Sequence, residues 1–328
     1  MSQPRSLPLV DDATIAQAAQ CLQAGGLVAL PTETVYGLGA NAADPAAVAK
    51  IFAAKGRPAD HPLIVHIPST DYLTQWAQAI PAYAQQLAAH YWPGPLTLIL
   101  PKQDWVPLAV TGGQTTVGLR CPNHPVALRL LQAFAKYNPQ AGIAAPSANT
   151  FGRISPTLAA HVAHDLGNKV DLILDGGPCE IGIESTIIDC TQAQPQLLRR
   201  GAITAAAISA LTGLPCTEPS QMTQRVSGNL AAHYAPRKPL YVLPITDIQT
   251  HPQRAQAAVW SITQVPEASH WEAAPVAAEA YAHDLYAVLH RFDETACTCL
   301  LFEAPPQTSE WAAVWDRLQR AQTGSGKS

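Results

Sequence analysis

The chain has 328 residues, of which 48% are hydrophobic and only 13% charged, which excludes a protein that is disordered throughout. Its formal net charge of −4 excludes a non-specific coater of duplex DNA, while leaving room for a local basic pocket. The length suits about two domains, and charge divides the same way: residues 1–238 hold 15 Lys+Arg and 14 Asp+Glu, whereas residues 239–328 hold 5 and 10.

In chain order, residues 13–24 (ATIAQAAQCLQA) predict a helix stopped by Gly25-Gly26, and LVAL at 27–30 a short buried strand running into Pro31. Residues 44–55 predict a helix with Asp44 as N-cap and Pro45 at the first helical position. A strand follows at 63–67, a helix at 81–91, and strands at 96–100, 116–120 and 142–145, the last two separated by a helix at 125–136. Further strands are expected at 171–175, 185–189 and 196–200, and a small helix at 204–212. Short turns between several neighbours favour an α+β arrangement on a mixed sheet over regular βαβ winding. The stretch from Pro215 to Pro239 has little periodicity and is taken as a linker. Beyond it, LYVLPI, AAVWSI and CLLFEA alternate with helices at 275–291 and 308–321, the pattern of a small parallel α/β domain. The expected boundaries are 1–205 for the first domain, 206–238 for an interdomain linker that doubles as a lid, 239–322 for the second domain and 323–328 for a flexible tail.

The seven cysteines are scattered, odd in number and without a C-x-x-C pair, which points to buried thiols in a reducing compartment. The opening MSQPRSLPLVDD lacks the apolar core of a secretory signal, and no apolar run reaches the roughly 18 residues of a membrane span. A cytoplasmic protein with no membrane association is expected.

AQTGSGKS at 321–328 matches a loose phosphate-loop pattern, but a helix precedes it and nothing follows, so the chemistry of a strand–loop–helix phosphate site has no frame there. More informative is Pro31-Thr32-Glu33-Thr34-Val35-Tyr36-Gly37-Leu38-Gly39, where a strand end meets hydroxyls, a carboxylate and glycines that permit close approach of a small polar ligand. Lys55-Gly56-Arg57-Pro58 sets two cations beside a helix end, with His61 and the strand histidine His66 after it; such a pair suits polyphosphate, or merely a helix C-terminus. Ala144-Ala145-Pro146-Ser147-Ala148-Asn149, Ser155-Pro156-Thr157, Glu184-Ser185-Thr186 and Leu198-Arg199-Arg200-Gly201 add hydroxyls, an amide and arginines at turns. No Ser-His-Asp order, G-x-S-x-G, H-E-x-x-H or paired-carboxylate signature is present, which favours a reaction run by positioning and charge neutralisation.

PTETVYGLG, KGRPADHPLIVHI, WPGPLTLIL, TVGLRCPNHP, APSAN, EST-IID and LRRGAI together resemble, in order and spacing, the threonylcarbamoyl-AMP synthases. The resemblance is strong over residues 10–205, continues through SGNLAAHYAP at 227–236, and favours the longer two-domain members. It implies a YrdC-like α/β catalytic domain with a twisted mixed sheet and a smaller Rossmann-like domain. The implied reaction makes L-threonylcarbamoyl-adenylate and pyrophosphate from L-threonine, bicarbonate or CO2, and ATP. The product feeds N6-threonylcarbamoyladenosine formation at position 37 of tRNA through a separate threonylcarbamoyl-transferase machinery. Mg2+ carried on the ATP phosphates and weak tRNA binding are further expectations, with no DNA partner.

By resemblance, Thr34, His66, Arg120, Ala145 and Ser185 match threonine-binding positions. Arg57, His61, Thr116, Ser147, Ser155, Arg199 and Tyr234 match ATP-contact positions, and Lys55, Arg57, Ser147 and Asn149 match the basic and Ser-x-Asn pairs tied to catalysis. No protein-held metal is implied. His61 departs from the usual Asn, replacing an amide by a bulkier group that titrates near pH 6.5. Two rival readings are an RNA-binding module on the same fold, and a carbamoyl-adenylate enzyme of the hydrogenase-maturation kind. The latter carries acylphosphatase-like and zinc-finger segments that are not evident here.

Overall fold

A computed structural model describes residues 10–219 and 224–326, which divide into two compact units. The first comprises the chain to Phe151, Pro156–Glu180 and Glu184–Ser227; the second comprises Gly152–Ser155, Ile181–Ile183 and the chain from Gly228.

The first unit opens with α1 (Asp12–Gln23), capped by the Asp11 side chain on the Thr14 amide, then β1 (Val28–Leu30), β2 (Gly37–Asn41) and α2 (Pro45–Lys55). Asp44 caps α2 through the Ala46 amide, with Pro45 at its start. There follow β3 (Ile64–His66), α3 (Leu73–Trp76), α4 (Ala82–Tyr91), β4 (Leu96–Pro101), α5 (Leu108–Thr111), β5 (Thr116–Arg120) and α6 (Pro125–Ala135). The set is completed by β6 (Ile143–Ala144), α7 (Ala159–Asp165), β7 (Leu172–Ile173), β8 (Thr186–Asp189), β9 (Gln196–Arg199) and α8 (Ala205–Thr212). The nine strands form one sheet in the order β7-β1-β2-β6-β3-β5-β4-β8-β9. β1/β7, β3/β5 and β4/β8 pair in parallel and the other neighbours antiparallel, so the sheet is mixed as expected.

In this unit β2 and the short helices α3, α5 and α7 escape the sequence reading. β2 lies inside the segment taken for a polar turn, because its residues Gly37-Leu38-Gly39-Ala40-Asn41 carry almost no β-propensity. Gly39 is nonetheless required in that strand: a Cβ there would stand 2.9 Å from Ile143, Leu30 and the Val28 carbonyl. α7 is only seven residues long.

Alternation along the central strands separates packing from chemistry. Val65, Val117, Leu119, Leu98, Leu100, Ile188 and Leu197 join the largest core cluster together with residues of α2, α4 and α8. Ile64 and His66 on β3, Thr116, Gly118 and Arg120 on β5, and Thr97 and Ile99 on β4 alternate with those core residues and share the opposite face. A second cluster packs α1 and α6 through Ile15, Leu22, Leu130, Leu131 and Phe134 onto Val28, Leu30 and Ile143.

The expected linker at 206–238 is only partly a linker. α8 packs Ile208 into the main core, and Thr186 Oγ1 donates to the Ile203 carbonyl at 2.8 Å. Residues 220–223 lie outside the described residues. Gln224–Ser227 return to the first unit: Gln114 and Arg225 exchange side-chain-to-backbone hydrogen bonds, and Arg225 pairs with Asp60 at 2.9 Å.

The second unit has β10 (Leu240–Leu243), α9 (Ile245–Gln249), β11 (Ala257–Ser261), β12 (His270–Ala273), α10 (Ala278–Glu294), β13 (Cys299–Glu303) and α11 (Ala312–Gly324). Its four strands are all parallel, in the order β10-β13-β11-β12. β12, with the unpromising sequence HWEA, is the strand absent from the sequence reading. The tail expected from 323 is ordered further than that: α11 reaches Gly324, and Ser325 Oγ accepts from the Leu240 amide at 2.9 Å. The expectation for Lys327 and Ser328 lies outside the described residues.

Candidate active site

Polar side chains converge at one end of the functional face of the large sheet. His66 and Arg120 are register partners on β3 and β5, so their side chains emerge side by side. Arg120 is 4% exposed; its Nε donates to the Gly94 carbonyl at 3.2 Å and its Nη1 to Thr34 Oγ1 at 2.9 Å. Its Nη2 stands 2.7 Å from Glu33. Thr34 is fully buried and also shares a 2.9 Å hydrogen bond with Thr32, whose hydroxyl knots the Thr32–Val35 turn. Burial, and then the charge on Arg120, push the His66 imidazole down to about 3, and neither ring nitrogen has a hydrogen-bond partner among the described residues. His66 is therefore a neutral imidazole at physiological pH.

Beside this group, at the starts of β4 and β8, Thr97 Oγ1 and Ser185 Oγ share a 2.8 Å hydrogen bond. Arg199 at the end of β9 donates from Nη2 to Ser185 Oγ and from Nε to the Ser185 carbonyl, both at 3.0 Å. Its Nη1 reaches the Ser227 carbonyl at 2.8 Å. Thr116 at the start of β5 donates to Gln224 Oε1 at 3.0 Å. Residues 225–227 thus cross the same face and, with Ile64, Ile99, Gly118 and Ile187, line a recess in it.

The basic pair separates because of Gly56. This residue ends α2 in the left-handed conformation at φ +64, so Lys55 and Arg57 diverge. Lys55 turns inward, 1% exposed, and its Nζ donates to the carbonyls of Ser147 and Asn149. Burial, and then the charge on Arg57, press its ammonium well below the usual lysine range, while Asp165 works in the opposite sense. Arg57 donates to the Pro62 carbonyl at 3.1 Å and lies 5.8 Å from the centre of the Phe151 ring. His61 meets the same ring edge-on at 5.4 Å, and burial followed by Arg57 lowers its pKa. Ser147 bridges to Gly37 in backbone register, and the Ala148 amide donates to the Tyr36 carbonyl at 2.8 Å, so the APSAN loop and the PTETVYG segment are stitched together. Ala145 is buried just after β6, where a Cβ on Gly37 would stand 3.1 Å from its own.

Ser155 and Tyr234 belong to the second unit. The Ser155 carbonyl is bonded to His290 Nε2 at 3.1 Å. Tyr234 is wholly buried at φ +61, with the His233 ring at 4.1 Å, the Tyr286 ring at 5.5 Å and the Arg317 guanidinium 5.4 Å from its ring centre. Such a left-handed tyrosine is strained, a state that functional segments tend to hold.

Sequence reasoning singled out Glu33 only as part of a polar segment, read 225–238 as a lid without giving Arg225 or Val226 a role, and missed Thr97, Gly94 and Gln224. Thr97 sits in LTLIL, where a lone hydroxyl at an alternating position was the available signal. Among the described residues no group of three or more His, Cys, Asp or Glu side chains is arranged to hold a metal ion. Nor is any of their helices long and apolar enough to cross a membrane.

A family model described as "Telomere recombination", covering the Sua5, YciO and YrdC proteins, matches residues 20–201, and "Threonylcarbamoyl-AMP synthase, C-terminal domain" matches 203–323. The chain is 40% identical to the threonylcarbamoyl-AMP synthase of Pyrococcus abyssi over 327 residues, covering 95% of each chain. The chain belongs to the threonylcarbamoyl-AMP synthase family. A synthase of Bacillus subtilis is also 40% identical, over 96% of this chain and 94% of its own. The crystal structure of P. abyssi Sua5 complexed with L-threonine superposes with a TM-score of 0.87 at 38% identity, covering 97% of this chain and 96% of that one. The E. coli YciO structure, at 26% identity and a TM-score of 0.51, matches 61% of this chain and 96% of its own. The protein is thus a two-domain threonylcarbamoyl-AMP synthase, an enzyme of tRNA N6-threonylcarbamoyladenosine synthesis.

Proposed function

We propose that the synthase binds L-threonine through Arg120, with Thr34 and Ser185 beside its side-chain hydroxyl and with His66 and Ala145 as walls. The observation that carries this reading is the buried Arg120 guanidinium, aimed by Gly94 and Thr34 and flanked by a neutral imidazole. A guanidinium has five N–H donors, so two fixed contacts leave donors for a carboxylate. A neutral His66 adds no charge that would compete with it.

ATP is assigned to Arg57, His61, Thr116, Ser147 and Arg199, and the purine to the recess roofed by Val226. Ser155 and Tyr234 keep the nucleotide-contact role that the family resemblance implies. The neutral threonine amine adds through its lone pair to the carbon of CO2 and releases a proton, giving a carbamate. A carbamate oxygen attacks the α-phosphorus, forming the P–O bond as the bond to the β-phosphate oxygen breaks and pyrophosphate leaves. Arg57 and Arg199 offset charge on the reacting phosphates. Lys55 acts one step back: its two carbonyl contacts hold the Ser147–Asn149 loop in place, with Ser147 and Asn149 presented by it. Mg2+ is assigned to the ATP phosphates as part of the substrate. We assign the protein to the cytoplasm, and its adenylate to a downstream tRNA threonylcarbamoyl-transferase.

Pyrophosphate release in bicarbonate and Mg-ATP, with and without L-threonine, tests the reading, with the adenylate identified by chromatography. Release that depends on threonine and bicarbonate supports it. Equal release without threonine overturns it, and RNA binding with no threonine-dependent release would favour the RNA-binding alternative.

A further inference from the structure

Glu33 is the one group of the Arg120 cluster that has no part in the mechanism above. Its carboxylate is 2% exposed and lies 2.7 Å from Arg120 Nη2. Neither of its oxygens receives a hydrogen bond from any described residue, nor does Arg120 Nη2 make one. A buried carboxylate is tolerated when it is both paired and hydrogen-bonded, and here only the first condition holds. The side chains nearest in charge influence are Cys121, Cys179 and His124. The thiols are weak donors, and the His124 Nδ1 is spent accepting the Val126 amide at 3.2 Å. The carboxylate, ion-paired with Arg120 on one side, can therefore accept a further strong donor.

An α-amino acid carries its ammonium two bonds from its carboxylate carbon. A site that receives the carboxylate on Arg120 must meet the ammonium beside it. The other two acceptors touching Arg120 are committed: the Gly94 carbonyl takes Nε, and Thr34 Oγ1 takes Nη1 and shares a proton with Thr32. Glu33 is the charged acceptor among the Arg120 partners. A zwitterion entering here leaves every charge compensated, carboxylate on guanidinium and ammonium on carboxylate.

We infer that Glu33 receives the α-ammonium of L-threonine and so selects an α-amino acid over an α-hydroxy acid. The inference rests on Arg120 as the carboxylate site. The ammonium held in this way must give up a proton, for which the Glu33 carboxylate is the adjacent acceptor, before its lone pair adds to CO2.

The test compares L-threonine with 2,3-dihydroxybutanoate of the same configuration, which replaces the ammonium by a hydroxyl. Binding to full-length wild-type, Glu33→Gln and Glu33→Asp proteins is measured by calorimetry. Loss of one charge-assisted contact predicts that Glu33→Gln weakens threonine by about 10- to 150-fold. The same change should leave dihydroxybutanoate within about threefold of wild type, and Glu33→Asp should recover part of the threonine affinity. Equal weakening of both ligands, or unchanged threonine binding in a folded Glu33→Gln protein, overturns the inference. Should Glu33→Gln not fold, wild type decides alone: dihydroxybutanoate binding as tightly as threonine overturns it, and a clear preference for threonine supports it. Failure of the Arg120 reading shows separately, as an Arg120→Ala protein that still binds dihydroxybutanoate at wild-type affinity.

Discussion

His66 couples the site to acid stability. Its imidazole titrates at about 3 in the folded chain because burial and then Arg120 disfavour the cation, whereas the unfolded chain takes up that proton near 6.5. Between those values the unfolded state binds more protons, so stability falls as pH drops from about 6.5 toward 3. The slope from this one group is at most about 1.4 kcal/mol per pH unit. His66→Gln should flatten the dependence of urea midpoint on pH in that window, and an unchanged slope would refute the assignment. Lys55 gives a second prediction. Because its ammonium braces two loop carbonyls, Lys55→Met should lower turnover by about 10- to 150-fold at saturating ATP. Threonine affinity, measured by calorimetry, should hold within about threefold. The identities of these residues were legible in the sequence, but their directions were not. That Lys55 points inward follows from its place on the buried face of α2, and the left-handed Gly56 turns the chain so that Arg57 leaves in another direction, a backbone fact that the string KGR does not announce. Glu33, set between two threonines in PTET, gave no sign that it would lie against a residue 87 positions later.

At the scale of elements, the longer helices and most strands were legible from caps and apolar runs, whereas the short helices α3, α5, α7 and α9 were not. Asp44-Pro45 opens α2, and TVGLR is β5 to the residue. β2 and β12 were not, since one is built of glycines and alanine and the other of HWEA, and each is a strand only through its neighbours. The functional face was also hidden, because it emerges only when β3, β4 and β5 are set in register and Thr97, Thr116, His66 and Arg120 fall on one side. The turn after β9 carries a prediction of its own. A Cβ on Gly201 would stand 2.8 Å from the Glu184 carbonyl and closer still to the Thr186 amide. Gly201→Ala should push the start of β8 away and unseat Ser185 from Arg199. The expected outcome is a loss of about 1–3 kcal/mol in stability by urea unfolding, together with weakened threonine binding. Retention of both would show that the turn yields freely.

For the whole molecule, the relevant question is where the catalytic unit ends. The sequence suggested that the strand set was complete by Arg200, but Ile203, Ile208 and Cys216 all belong to the main core. A fragment ending at Gly201 should therefore unfold at clearly lower urea than one ending at 219, and equal midpoints would remove α8 from the core's account. Tyr234 shows the same entanglement of roles. It lies wholly buried in the second unit, so Tyr234→Ala should cost about 3–5 kcal/mol there through the cavity left behind. Changes in ATP binding in that variant are to be read only alongside its thermal unfolding, and Tyr234→Phe, which keeps the volume, separates the hydroxyl from the packing.

The second unit is assembled from three visits of the chain, at 152–155, at 181–183 and from 228 onward. Gly182 sits against the backbone of His283, and Gly152 accepts from Ala235 at 2.9 Å. On a ribosome these early segments emerge long before their partners. At roughly 5–20 residues per second, the stretch between Gly182 and His283 takes on the order of 5–20 s to make. For that interval the nascent chain carries two short pieces with nothing to dock on. Pauses or chaperone capture during synthesis of residues 184–283 should therefore change the yield of active enzyme, measured as soluble activity per chain made.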